Sequence, residues 1–288
     1  MQDDVVARLA NALNAQLTVA EARRAERSPH PDSTDLLFQG LAWYNKGPTQ
    51  ENLAVSRGFF ERALTLDPSN VEALVWISTV DYIGSAGVFY GDRAIRLASA
   101  EAAAAKALSS APNHPVAHFC MGWVQNFTNR ASEAIAEFEL ALVLDRNFAG
   151  AYGGIGLAKM FLGRSEETEA HIQEALRLSP RDPMAYLWAA FAGFAKLFRA
   201  ADEEAVKWFR RSIEFNRNYS LAHFYLAAAL AQLGKLDEAH AVATAGLALD
   251  PTFTISRVRS SASSDNPVYL AERERGIEGM RKAGVPEG

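Results

Sequence analysis

Apolar positions along the chain fall on a helical spacing, and one block of large and small residues returns six times. From Pro115 the block carries Gly122, Ala134, Phe138 and Ala141. From Ala149 it carries Tyr152, Gly156, Ile172, Ala175 and Pro180, and from Ser220 it carries His223, Ala227, Leu230, Ala239, Gly246 and Pro251. An earlier block has Gly40, Phe60, Ala63 and Pro68, with about four extra residues in its turn. Another has Tyr186, Ala190, Ala205, Phe209 and Ser212, and the most divergent has Leu74, Ser78, Ala100, Ala104, Ala107 and Pro112. Each block predicts two antiparallel helices. Small residues let the pair approach closely, and the large ones fill the gap to the next pair. The turns closing the pairs are Leu66-Asp67-Pro68, Ser110-Ala111-Pro112, Leu144-Asp145-Arg146, Leu178-Ser179-Pro180, Phe215-Asn216-Arg217 and Leu249-Asp250-Pro251. Their last positions are 44, 34, 34, 37 and 34 residues apart.

A 34-residue period with these small and large positions resembles the tetratricopeptide repeat (TPR) family. The likeness covers roughly residues 33–252. It implies an all-α, right-handed superhelical solenoid of about six repeats. Residues 3–27, with Val5, Leu9, Leu13 and Leu17 at i, i+4 spacing, predict an amphipathic capping helix. The division expected is therefore 1–32 as N-terminal cap and linker, 33–252 as repeats, and 253–288 as C-terminal cap. In that last segment 261–265 reads as loop, Asn266 as N-cap and Pro267 as first helical residue. The final helix runs to about Lys282, stops at Gly284 and Pro286, and has Val268, Leu270, Ile277 and Met280 on its apolar side.

Composition trims the function classes. The 288 residues suggest two domains at about 150 residues each, but the repeats revise that to one solenoid. Hydrophobic residues make up 49%, so a core is affordable, and no apolar run approaches the ~18 residues of a membrane span. A single cysteine, Cys120, excludes an internal disulfide framework. The net charge of −5 argues against nucleic acid. The acidic start Met1-Gln2-Asp3-Asp4 is unlike a basic signal peptide, so a cytoplasmic protein is expected.

The first helices of the repeats would line a concave face. Its strongest candidates for contact with a partner are Trp76, Phe119, Trp123, Phe127, Gly153, Gly154, Phe161, Trp188, Phe191, Phe194 and Phe224. The face is aromatic, and the Lys, Asn or Arg side chains that grip a C-terminal carboxylate in familiar TPR domains find no Lys or Arg counterpart in repeats two to six. An apolar face of that size needs a cover. The C-terminal helix, a partner protein, a second copy of the chain and a small apolar ligand are the candidates. Gly153 and Gly154 are not required by the repeat. They would either open a pocket flanked by Trp123 and Trp188 or allow close packing. A longer segment between Tyr82 and Arg93 holds Gly84, Gly87 and Gly91 and reads as a functional loop or a longer helix pair.

Other chemistry is sparse. His114 and His118 have i, i+4 spacing, yet one falls in a turn and the other at a core position, so no metal site is expected. Cys120 reads as a buried thiol. Lys207, Arg210, Arg211 and Arg217 around Trp208 read as a solvated helix face. No nucleophile elbow, P-loop or paired catalytic carboxylates stand out, so neither catalysis nor a cofactor is expected.

The ends extend the resemblance. Met1 to Val6, Ala22-Arg23-Arg24-Ala25-Glu26-Arg27, Trp43-Tyr44-Asn45 and the tail Ser264 to Gly284 resemble the C-terminal part of bacterial proteins that join TPRs to a class III adenylate/guanylate cyclase or a winged-helix domain. That resemblance implies a non-enzymatic regulatory module, with a cyclase or transcriptional effector domain as one partner. A homodimer, a small-molecule sensor or a separated C-terminal half of a cyclase are the alternatives.

Overall fold

The computed structural model describes residues 20–21, 23–25, 31–47, 49–86 and 92–288, and all regular structure among them is helical. The helices are α1 (Ser33–Tyr44), α2 (Gln50–Leu66), α3 (Val71–Ala86), α4 (Arg93–Ser110), α5 (Pro115–Phe127), α6 (Ala131–Leu144), α7 (Ala149–Phe161), α8 (Thr168–Leu178), α9 (Ala185–Phe198), α10 (Asp202–Phe215), α11 (Ser220–Gln232), α12 (Leu236–Leu249), α13 (Ile255–Ser260) and α14 (Pro267–Lys282). They form two compact units. Unit 1 comprises residues 1–124 and 139–147, and unit 2 comprises 125–138 and 148–288. The odd-numbered helices α1 to α11 open the pairs and are called A helices, and their successors are B helices. Most of the expected helix over residues 3–27 lies outside the described residues. Residues 20–21 and 23–25 are helical, and the Ala25 carbonyl accepts a bond from Gln39 Nε2 at 3.0 Å. Residues 87–91 of the expected loop also lie outside them.

Five of the B helices end in the same backbone geometry. Asp67, Ala111, Ser179, Asn216 and Asp250 leave the helix with φ between −148° and −135°, and each amide still bonds the carbonyl four residues back. Where the residue is Asp or Asn, its side chain then holds the turn. Asp67, Asp145, Asn216 and Asp250 accept the amide two residues on at 3.0, 3.0, 3.0 and 3.2 Å. The A-to-B turns in unit 2 repeat as well. Asn129, Gly163, Ala200 and Gly234 have φ from 60° to 75°, and the amide that follows each closes onto the fifth carbonyl behind it.

Rings pressed on glycines hold the pairs together. In unit 1 a Cβ at Gly40 would lie 2.4 Å from the ring of Phe60, which is fully buried. Ser56 donates to the Gly40 carbonyl at 2.8 Å. Unit 2 repeats the device within pairs, with Phe209 on Gly193 and Phe224 on Gly246, and uses it between neighbouring pairs, with Phe138 of α6 on Gly154 of α7. Thr168 donates to the Gly156 carbonyl at 2.9 Å, as Ser56 does to Gly40. Burying each ring contributes about 2–3 kcal/mol, and the missing Cβ is what admits it.

Candidate functional site

In unit 1 the A-helix face is a chain of rings. Trp76 of α3 is half-buried, with its centroid 4.9 Å from Tyr44 and 6.1 Å from Phe60. Trp123 is buried and stacked on Tyr82 at 5.9 Å, and half-buried Phe119 meets it edge-on at 6.1 Å. At one end of this face His114 Nε2 lies 2.9 Å from Glu72 Oε1, so the histidine has a carboxylate partner that its sequence neighbours do not announce. Behind the face, on the B-helix side, buried Asp81 is bonded by Arg57 Nε at 3.0 Å and Ser99 Oγ at 2.6 Å. That cluster ties α2, α3 and α4 together.

In unit 2 the A-helix face is occupied by the chain itself. Helix α14 packs on α11 and α9. Its N-cap, Asn266, accepts the amides of Val268 and Tyr269, and Pro267 takes the first turn, where no amide is needed. Tyr269 inserts between Phe161 and Phe198, with centroids at 5.2 and 6.2 Å. Phe194 lies beneath, 4.4 Å from Tyr225 and 6.4 Å from Phe191. Arg275 sends Nη1 and Nη2 to Asp202 at 2.5 and 2.7 Å and Nη1 to the Leu197 carbonyl at 3.0 Å. Buried Arg273 donates to the carbonyls of Val258 and Arg259 at the end of α13. The chain end is pinned too, since Ile255 and Ser256 amides donate to Pro286 and Glu287 carbonyls at 2.9 Å each.

This arrangement sorts the candidate groove residues. Trp76, Phe119 and Phe127 are half-buried and keep surface to offer. Trp123, Phe161, Trp188, Phe191 and Phe194 are buried. Phe224 is fully buried and stacked on Phe253 at 3.7 Å. Gly153 and Gly154 open no cavity. A Cβ at Gly153 would stand 2.5 Å from Trp188 Nε1, and one at Gly154 would stand 2.3 Å from Phe138 Cζ. Neighbouring rings fill the space, so of the two readings of these glycines, pocket or close packing, the structure has close packing. The register of α14 also differs from the expected one. Ile277 and Met280 are buried, but Val268 is 50% and Leu270 39% exposed, and the inner face is carried by Tyr269, Arg273, Gly276 and Gly279. Phe198, Asp202, Tyr269 and Arg275 escape sequence reasoning; a tyrosine followed by glycines at i+7 and i+10 was the available signal.

The remaining chemistry is structural. Burial pushes the Cys120 thiol up to about 12, offset in part by the Thr79 hydroxyl 3.4 Å from its sulfur. His118 and His223, each the fourth residue of the block that starts at Pro115 or Ser220, bond the carbonyls of Pro112 and Arg217 in the preceding turns at 2.8 and 3.1 Å. Trp208 donates to Glu169 at 3.0 Å, Arg210 pairs with Glu238 at 2.6 Å, and Arg211 lies 5.2 Å over the Trp208 ring. Among the described residues no three His, Cys, Asp or Glu side chains are placed to hold a metal ion, and no helix is long and apolar enough to cross a membrane.

Comparison with known families matches residues 149–182 and 220–253 to models described as tetratricopeptide repeat. The fold is that of a TPR protein. Solved TPR structures agree. TTC0263, a thermophilic TPR protein of Thermus thermophilus, aligns at 17% identity over 69% of this chain and 98% of its own, with a TM-score of 0.55. Pseudomonas aeruginosa pilF aligns at 16% identity over 77% of this chain and 93% of its own, with a TM-score of 0.53. A chain of the APC/C hetero-tetramer Cut9-Hcn1 aligns at 14% identity and a TM-score of 0.67 over 91% of this chain, which spans 45% of that one. No curated protein matches significantly. At these identities the likeness is one of TPR fold.

Proposed function

We propose that this chain is a non-enzymatic, regulatory interaction module that docks a protein or peptide segment on the A-helix faces of its TPR stack. One observation carries the reading: the A-helix face of unit 2 already holds a helix, seated by an aromatic anchor and an arginine. The A-helix face of unit 1 offers the same kind of surface, with Trp76 and Phe119 half-exposed and Glu72 and His114 at one end. Aromatic side chains carry much of the binding energy at protein interfaces, which makes these two rings the contact residues of unit 1. Trp123 packs edge-on behind Phe119. In unit 2, Phe127 adds a half-buried ring, Phe161 holds Tyr269 of the seated helix, Phe194 and Phe191 pack on each other, Trp188 and Phe138 cover Gly153 and Gly154, and Phe224 packs away from the seat on Gly246 and Phe253. The resemblance of the end segments supports a cyclase or winged-helix effector as the partner.

The test is selection of a helical peptide library on the wild-type protein, followed by affinity measurement on Trp76→Ala/Phe119→Ala. The variant is expected to lose about 30- to 100-fold in affinity, as removal of two interface aromatics does. Unchanged affinity in a folded double variant would contradict the proposal.

A further inference from the structure

Helix α14 reads less like a wall of the fold than like a ligand in its receptor. Its sequence, PVYLAERERGIEGMRK, carries seven charged residues among sixteen. It also carries two interior glycines, which disfavour a helix standing alone. Both glycines face the groove. A Cβ at Gly279 would lie 2.6 Å from the Ala228 carbonyl oxygen, and one at Gly276 would lie 3.1 Å from the Tyr225 ring. The α14 backbone therefore approaches α11 more closely than any other residue type would permit. Polar bonds fix the register along its length. Ser264 donates to the Phe161 carbonyl at 2.7 Å, Ser165 to Glu272 at 2.6 Å, Arg275 to Asp202, and Gln232 to the Arg275 carbonyl at 2.9 Å. Interfaces that exchange partners are this polar, whereas permanent ones resemble a cut core.

We infer that the α9–α11 groove is a helix receptor whose resident ligand is α14, and that a partner protein displaces it with an amphipathic helix of the same pattern: an aromatic residue, an arginine six positions later, and small residues seven and ten positions later. The inference rests on the reading of A-helix faces as docking faces. The recognising groups are the Phe161 and Phe198 slot, the Ala228 backbone that demands a small residue, and the Asp202 carboxylate with the Leu197 carbonyl, which together demand a guanidinium. The pinned chain end beyond α14 keeps the displaced helix at hand to reclose the groove. An incoming helix must compete with that tethered copy, so its apparent affinity is scaled by the open fraction.

A fluorescein-labelled synthetic peptide of residues 264–288 serves as the probe, and anisotropy is read on the full chain. Arg275→Ala weakens the resident helix only, because the probe keeps its own arginine. It should bind the probe about tenfold tighter than wild type. Adding Asp202→Ala should remove that gain, since the probe then lacks its partner. Bridging Gln232→Cys to Lys282→Cys with a bis-maleimide, at a pair now 3.1 Å apart at the side-chain tips, should abolish binding. Tyr269→Ala gives a second route to an open groove if Arg275→Ala does not fold. Absence of probe binding to every folded weakened variant, or binding that survives the bridge, overturns the inference. Either result leaves the Trp76-dependent docking on unit 1 untouched, so the two failures are separable.

Discussion

Gly154→Ala is the sharpest test of how the repeats are packed, because two opposing effects meet there. Alanine in the middle of α7 should gain about 1 kcal/mol of helix propensity over glycine. Its Cβ, however, would stand 2.3, 2.6 and 2.7 Å from three atoms of the Phe138 ring. The backbone cannot yield freely, because Asn126 Nδ2 holds the Gly154 carbonyl at 3.1 Å. Phe138 is fully buried and has no solvent side to swing toward. Overpacking of a dense core costs typically 1–3 kcal/mol, and an overlap this deep belongs at the upper end. The net expectation is a loss of about 1–2 kcal/mol. Gly58→Ala in the middle of α2 is the internal control: nothing lies within 4 Å of its Cβ position, so the same substitution should add about 0.5–1 kcal/mol. Urea unfolding followed by circular dichroism measures both. Because the chain forms two compact units, each variant is compared on the transition of the unit that carries it. If Gly154→Ala raised stability as Gly58→Ala does, the ring-on-glycine packing would be refuted.

Further outcomes follow from single observations. Ala200 is exposed and sits at φ 60°, so Ala200→Gly should raise the urea midpoint by about 0.5–1 kcal/mol equivalent. Burial raises the carboxyl of Asp182 above its ordinary value, an effect that the Met184 amide only partly offsets. The folded protein therefore holds that proton longer than the unfolded chain, and stability falls as pH rises from 3.8 through the folded value. Asp182→Asn should remove this loss, so the variant gains on wild type between about pH 3.5 and pH 7 in a urea series; parallel curves would contradict the sign. Cys120, buried and pushed up to about 12, should react with Ellman's reagent at about pH 7.5 only after unfolding, and fast labelling of the native chain would place it elsewhere.

The parts of the molecule that could be read from the sequence are those governed by local chemistry. Asp67, Asn216 and Asp250 bond their own turns within two residues, so the turn sequence alone locates the ends of α2, α10 and α12. Small positions such as Gly40, Gly156 and Gly246 were equally legible, because the repeat fixes which helix they face. The filling of Gly153 and Gly154 was not. The rings that occupy their space come from helices on opposite sides in sequence, Phe138 from α6 and Trp188 from α9. Spacing alone cannot say whether a ring or a ligand arrives. The face of α14 was hidden for another reason. Glycine usually reads as a break, but Gly276 and Gly279 here mark the most buried side, while Val268 and Leu270 turn outward. The Glu72–His114 pair spans 42 residues and has no local signal.

Position-specific crosslinking tests the central claim most directly. Benzoylphenylalanine in place of Phe119 puts a photoreactive ring on the A-helix face of unit 1, and the same residue in place of Val143, which is 82% exposed on α6, puts it on a B-helix surface. Illuminated in lysate, the Phe119 variant should capture a discrete protein that Trp76→Ala abolishes, and the Val143 variant should not. Capture of the same protein from Val143 alone would contradict docking on the A-helix face.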